Sequence, residues 1–138
     1  MNNLKIDSVV FCEGVRTELG GKHTLLGATA PELNISNLPA AIPVVIWISG
    51  TPSTAGPFEA EFRAVGEKRN VLVKAKLGGE IGGTGKVALV IGPMTLPVEV
   101  EGDFVFEWNF GAKKWTRIGK LRIQLAKNNA ITNPSPSG

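Results

Sequence analysis

The chain has 138 residues, of which 43% are apolar and 20% are charged, and it carries a net charge of +3. This composition excludes a disordered chain, and no apolar run approaches the roughly 18 residues of a membrane-spanning helix. The length fits one domain with a core of its own. A lone cysteine excludes an internal disulfide, and no signal peptide is visible, so we expect a cytoplasmic protein.

The first third of the chain predicts three strands. Residues 4–13 and 22–28 have the spacing of a hairpin with a longish loop that turns at Gly20-Gly21. Residues 31–39 form a Pro-bounded polar connection, in which Pro31 could open a single helical turn. Residues 42–49 are apolar on both faces, which is typical of a central strand or one covered on both sides.

The middle of the chain predicts a second hairpin, with strands at 58–64 and 71–77 joined by a turn at 66–70. Residues 78–85 are glycine-rich and predict a flexible loop. A short buried strand at 87–91 is broken by Gly92-Pro93. The alternation then continues to Val100, with Pro97 indicating a sheet edge or a bulge.

The clearest strand is aromatic: Phe104, Phe106, Trp108 and Phe110 fall on one face, because side chains alternate with a period of two. A last strand at 115–125 presents Leu121, Ile123 and Leu125 inward, with a bulge predicted at Gly119. We expect a disordered tail at residues 128–138, which leaves residues 1–127 as the domain.

Eight or nine short strands in one domain predict an all-β, antiparallel β-sandwich or a barrel, since a flat sheet of that size would leave an apolar face in water. The aromatic strand and its successor resemble the final hairpin of an immunoglobulin-like sandwich, and we expect that version of the fold. The antibody disulfide is excluded because Cys12 has no partner, whereas Trp47 could still fill a core position.

Catalytic and metal-binding patterns are weak. Gly78 to Lys86 fails as a phosphate-binding loop because Glu80 and Val87 stand where the motif needs glycine and a hydroxyl residue. The dinucleotide-binding pattern that Gly83 to Ala88 nominally fits needs a helix after it, where this sequence predicts a strand. One histidine and one cysteine are too few for a structural zinc site without carboxylates. We expect Cys12 to be buried and inert, and His23 to occupy an exposed strand position. The sequence therefore predicts no enzyme, no cofactor, no metal and no small-molecule substrate.

Two charged groups are candidate contact surfaces. Glu99, Glu101 and Asp103 recur at a period of two, which could serve a cation or a basic partner but is more typical of a solvated edge. Basic residues without an acid among them follow residue 112, and Trp115 is the best surface anchor beside them. The candidate binding residues are Lys113, Lys114, Trp115, Arg117, Lys120 and Arg122.

The opening segment carries a recognisable pattern. It reads Ile6-Asp7-Ser8-Val9-Val10-Phe11-Cys12-Glu13-Gly14-Val15-Arg16, followed by Gly21-Lys22 and Leu26-Gly27, and later by Gly102-Asp103-Phe104-Val105-Phe106. This pattern resembles a family of uncharacterised bacterial and phage proteins. The resemblance covers most of the chain outside the tail. It implies a compact β-sandwich of bacterial or mobile-element origin and brings no activity and no site residue with it.

Two functions remain open at this point. The first is a non-enzymatic module that binds another protein or self-associates into an oligomer, through an edge strand or the loops at one end of the sandwich. The alternative is a nucleic-acid or polyanion binder that uses the basic C-terminal strand.

Overall fold

The computed structural model describes residues 3–111 and 114–126. This part of the chain folds into ten strands and a single 3-10 turn at Leu19–Gly21. The strands are β1 (Leu4–Cys12), β2 (Gly14–Thr17), β3 (His23–Leu26), β4 (Glu32–Ile35), β5 (Ala40–Pro52), β6 (Gly56–Val65), β7 (Val71–Ile81), β8 (Val87–Val98), β9 (Gly102–Asn109) and β10 (Thr116–Leu125).

The strands form three sheets. One sheet has the order β1-β5-β8, a larger one has the order β4-β10-β9-β6-β7, and β2 pairs with β3 in a separate hairpin. All described pairings between these strands are antiparallel except that of β4 with β10, which is parallel. Because β1 and β4 belong to different large sheets, the chain crosses between the two layers within its first 35 residues.

The hydrophobic core lies between the two larger sheets. Phe104, Phe106 and Trp108 of β9 are almost fully buried, as the period of two predicted. They meet Phe62 of β6, whose ring centre lies 6.3 Å from that of Phe106, while Phe11 of β1 approaches Phe106 from the other sheet at 5.1 Å. Burial of these aromatic rings stabilises the packing of the two sheets against each other. The prediction of a single all-β domain of packed sheets is confirmed.

The predicted N-terminal hairpin was wrong in its pairing. The register of β1 runs from Leu4 opposite Pro52 to Cys12 opposite Val45, so its partner is β5. Leu4 and Phe11 of β1 are buried core residues, and β5 offers a partner long enough to align both of them. The Gly20-Gly21 turn joins β2 to β3 instead, and these strands are only four residues each.

Two segments that the sequence indicated as loops are extended strand. Residues 31–39 contain β4, whose Leu33 and Ile35 pack against the core. Residues 78–81 belong to β7 rather than to the glycine-rich loop. Gly79 lies opposite Phe58, and a Cβ on Gly79 would lie 3.1 Å from the Phe58 ring, so glycine here makes room for an aromatic side chain. The strand count is consequently ten, above the eight or nine expected.

Several predictions are confirmed. β5 is the central strand of its sheet, β6 and β7 form a hairpin, and β8 lies at an edge. The register of β10 on β9 shifts between Arg117 and Gly119, which places the predicted bulge. The expected break at Gly92 is a register irregularity within one continuous strand. In the described residues, no helix is long and apolar enough to cross a membrane.

Candidate interaction surfaces

The outer face of the five-stranded sheet carries rows of charged side chains of both signs. The cross-strand register aligns Arg117, Glu107, Arg63 and Lys74 in one row across β10, β9, β6 and β7, in which Glu107 lies between two arginines and Lys74 lies opposite Arg63. Arg63 Nε donates to Glu107 Oε1 at 2.8 Å, and both side chains are largely buried by their neighbours. Opposite charges on adjacent strands stabilise a sheet face, so much of this charge is used within the molecule.

Trp115 lies on the same outer face, one residue before β10. Its ring is covered by the Arg63 guanidinium, whose central carbon lies 4.1 Å from the ring centre. This cation–π contact leaves Trp115 half-buried rather than in the core. One of its faces is therefore occupied by Arg63.

Lys120 and Arg122 of the candidate basic surface share a carboxylate. Arg122 Nη1 lies 3.1 Å from Asp103 Oδ1, and Lys120 Nζ lies 3.7 Å from Asp103 Oδ2. The acid comes from β9, the antiparallel neighbour of β10, and so the acid-free run in the sequence is not acid-free in space. The hairpin prediction alone could have found this neighbour, because Gly102-Asp103 starts the strand that pairs with β10.

The other basic candidates have different surroundings. Lys114 and Arg117 are exposed, and the register places Arg117 opposite Glu107. Lys113 lies outside the described residues. The structure therefore distributes Trp115, Arg117, Lys120 and Arg122 along and just before β10 and intersperses them with acids, which weakens their combined positive field.

The acidic row predicted at residues 99–103 does not form a single surface. Glu101 Oε2 accepts the backbone N–H of Leu125 at 2.6 Å, and Asp103 faces the basic side chains of β10. The backbone N–H of Asp103 is bound in turn by Glu67 Oε1 at 2.8 Å. Among the described residues, no group of three or more His, Cys, Asp or Glu side chains is placed to hold a metal ion.

The hairpin of β2 and β3 lies against the outer face of the three-stranded sheet. There Trp47 Nε1 donates to His23 Nδ1 at 3.0 Å. His23 is half-buried, so the predicted exposed position was wrong. Trp47 was a candidate for the core, but it faces away from it, because its neighbours Ile46 and Ile48 point inward in a strand of period two.

Cys12 ends β1 beneath this hairpin. The thiol is buried and Sγ donates to the Val45 carbonyl oxygen at 3.5 Å, as expected of an inert cysteine. Burial raises the pKa of Cys12, and the backbone hydrogen bond with Gly14 lowers it less. A raised pKa disfavours the thiolate, which is the reactive form. His23 is bonded to Trp47, so the two groups do not form a nucleophile and its base.

The edge of the larger sheet at β7 is the surface that the sequence did not single out. β7 pairs with β6 on one side and, among the described strands, has no partner on the other. Ala75 lies on the core side of β7 by the period of two yet is exposed, whereas Val73 and Leu77 on the same face are partly buried against the core. A groove of about 420 Å³ runs between these two edges, past Leu77, Gly79 and Leu89.

Comparisons with known proteins add no family to this description. No protein-family model matches the chain, and no curated protein matches it either.

Proposed function

We propose that this protein is a non-enzymatic interaction module that binds protein, either a second copy of itself or another chain, through the edge of its five-stranded sheet. The observation that carries the proposal is the eleven-residue strand β7, whose outer backbone groups have no partner strand among the described residues. An extended segment can add to such an edge through main-chain hydrogen bonds.

The other edges of the described sheets are less suited to this role. β4 is only four residues long. β1 has a register shift between Ile6 and Ser8, and β8 contains Pro93 and Pro97. Short strands, bulges, prolines and charged side chains are features that blunt an edge against further pairing. β7 contains no proline, its register shift lies at its start, between Val71 and Val73, and its exposed lysines are followed by the acid Glu80 on the same face.

We also propose that the sandwich is immunoglobulin-like. The orders β1-β5-β8 and β10-β9-β6-β7 correspond to strands A, B and E in one layer and to G, F, C and C′ in the other. In this assignment β4 is a second part of the first strand that has moved to the opposite layer. The resemblance of the opening segment to bacterial and phage sandwich proteins agrees with it and remains a proposal.

Size-exclusion chromatography with light scattering, at 50 and 500 mM salt and over a hundredfold range of protein concentration, tests the interaction function. We expect a defined oligomer, or a stoichiometric protein partner that stays bound at both salt concentrations. A monodisperse monomer at every concentration that also retains no protein partner would refute the proposal. Nucleic acid that co-purifies at low salt and is lost at high salt would instead favour polyanion binding by the candidate basic surface.

A further inference from the structure

The geometry points to a second copy of this chain as the occupant of the β7 edge, and we propose that two β7 strands pair antiparallel about a two-fold axis through Leu77. This inference rests on the proposed interaction function and specifies its partner and register. It joins two five-stranded sheets into one continuous sheet of ten strands.

The side chains of β7 divide between an outer, charged face and a core-side face. Lys74 lies opposite Arg63 and Lys76 opposite Glu61 on β6, so both lysines are on the outer, charged face. Glu80 follows on the same face by the period of two and is exposed, as are the two lysines. In a two-fold pairing that continues the sheet, outer-face residues of one copy face outer-face residues of the other.

The charges on β7 select among the possible registers. A two-fold axis at Lys76 would oppose Lys76 to its own copy, and an axis at Ala75 would oppose Lys74 to Lys76 twice. Like charges directly opposite each other on adjacent strands are destabilising. With the axis at Leu77, Lys74 of each copy faces Glu80 of the other, and two pairs of opposite charge form by symmetry.

The same register also aligns the core-side residues. Val73 of each copy lies opposite Ile81 of the other, and Leu77 lies opposite its own copy. Leu77 and Ile81 line the groove beside β8, and Val73 and Leu77 are partly buried against the core. The overlap is residues 73–81, the full length of β7 beyond its register shift. An axis at Gly78 would pair Lys76 with Glu80 but would shorten the overlap by two residues.

Charge reversal tests the pairing directly. Lys74→Glu and Glu80→Lys each replace two opposite-charge pairs by two like-charge pairs, and we expect each variant to raise the dimer dissociation constant by about tenfold or more. The double variant Lys74→Glu/Glu80→Lys restores both pairs and should dimerise as the wild type does. Mixing the two single variants in equal amounts should give a heterodimer, since one copy then carries two acids and the other two lysines at these positions.

Lys76→Glu is the matched control, because Lys76 faces Gly78 of the other copy in this register and its reversal should change the dissociation constant by less than about threefold. All three side chains are exposed, so the fold should be retained, which circular dichroism checks. Analytical ultracentrifugation of each variant and of the mixture gives the dissociation constants.

The outcomes separate this inference from the proposed function. The register is supported if both single variants dimerise more weakly than the wild type and if dimerisation recovers in the double variant and in the mixture. An oligomer that none of these substitutions changes, or that Lys76→Glu disrupts while Lys74→Glu does not, overturns the register and leaves the interaction function standing. A wild-type monomer that retains another protein in stoichiometric amount overturns the second copy as occupant. A monomer without any partner overturns both.

Discussion

Trp47 and His23 join the hairpin to the central strand through a single polar contact, in which the indole N–H donates to Nδ1 of the imidazole at 3.0 Å. The contact requires the tautomer of His23 that carries its proton on Nε2, because only a nitrogen without a proton can accept. It also gives a hydrogen-bond partner to the indole N–H, which is the polar group of the half-buried Trp47 side chain.

Replacement of His23 should weaken the attachment of the hairpin. We expect His23→Leu to reduce the free energy of unfolding by about 1 kcal/mol, the usual net value of one hydrogen bond, since the Trp47 N–H loses its acceptor. Urea unfolding followed by circular dichroism measures the change. His23→Asn is the matched control, because its side-chain oxygen can occupy nearly the position of Nδ1. Equal loss in both variants would show that the hydrogen bond is not the cause.

Gly50 permits the close approach of β1 to β5. A Cβ at this position would collide with the backbone oxygen of Lys5 and press on the Leu4 side chain, so the two strands would have to separate. We expect Gly50→Ala to destabilise the fold by about 1–3 kcal/mol, as overpacking of a tight site does. Gly83→Ala is the control, because a Cβ there meets no described atom within 4 Å. Thermal unfolding of both variants compares the two sites.

The regular strands could be predicted from the sequence, and the pairing of short or distant segments could not. The aromatic period of β9 is visible because Phe104, Phe106 and Trp108 are all large and all buried. β4 lacks such a signal: it is four residues long, and its pairing with β10 joins residues about 90 positions apart. Nothing local in the sequence specifies a contact at that separation.

Cys12 should not react with thiol reagents in the folded protein, because it is 2% exposed. After unfolding it should react with one equivalent of reagent. Its pKa is raised by burial, so the folded state prefers the neutral thiol. Burial of the neutral thiol therefore contributes fully to the free energy of unfolding below the pKa of a free thiol, about 8.5. This contribution is lost as the pH rises through the higher pKa of the folded state.

Comparison of the wild type with Cys12→Ala isolates this contribution. The wild type should lose stability more steeply than the variant as the pH rises above about 8.5, because its thiol then ionises in the unfolded chain but stays neutral in the folded protein. Chemical unfolding at a series of pH values provides the measurement. Parallel pH profiles for the two proteins would contradict it.

Asp103 should limit the attraction of polyanions to the candidate basic surface, since it lies beside both Arg122 and Lys120. We expect Asp103→Asn to elute from a heparin column at higher salt than the wild type, because two cations lose their shared counter-charge. Glu59→Gln removes one negative charge from an exposed site on the same face at β6 and serves as the control. Equal elution of the two variants would mean that only net charge matters.

The candidate basic surface shows why composition along a chain misjudges a β-protein. The run from Lys114 to Arg122 has no acid in sequence, yet a neighbouring strand supplies Asp103 and Glu107 to the same face. The β7 edge was missed for a related reason. Residues 71–77 were identified as a strand, but whether a strand is central or at an edge depends on partners that lie far away in the chain.

The parallel pairing of β4 with β10 determines how the fold meets mechanical tension. Its backbone hydrogen bonds include those from Arg122 to Pro31 and from Ala126 to Ile35. Tension that reaches these strands from the Asn3 side and the Ala126 side pulls β4 and β10 in opposite directions along a common axis. Such a load slides the two strands past each other, and the bonds between them must break together instead of peeling apart one by one.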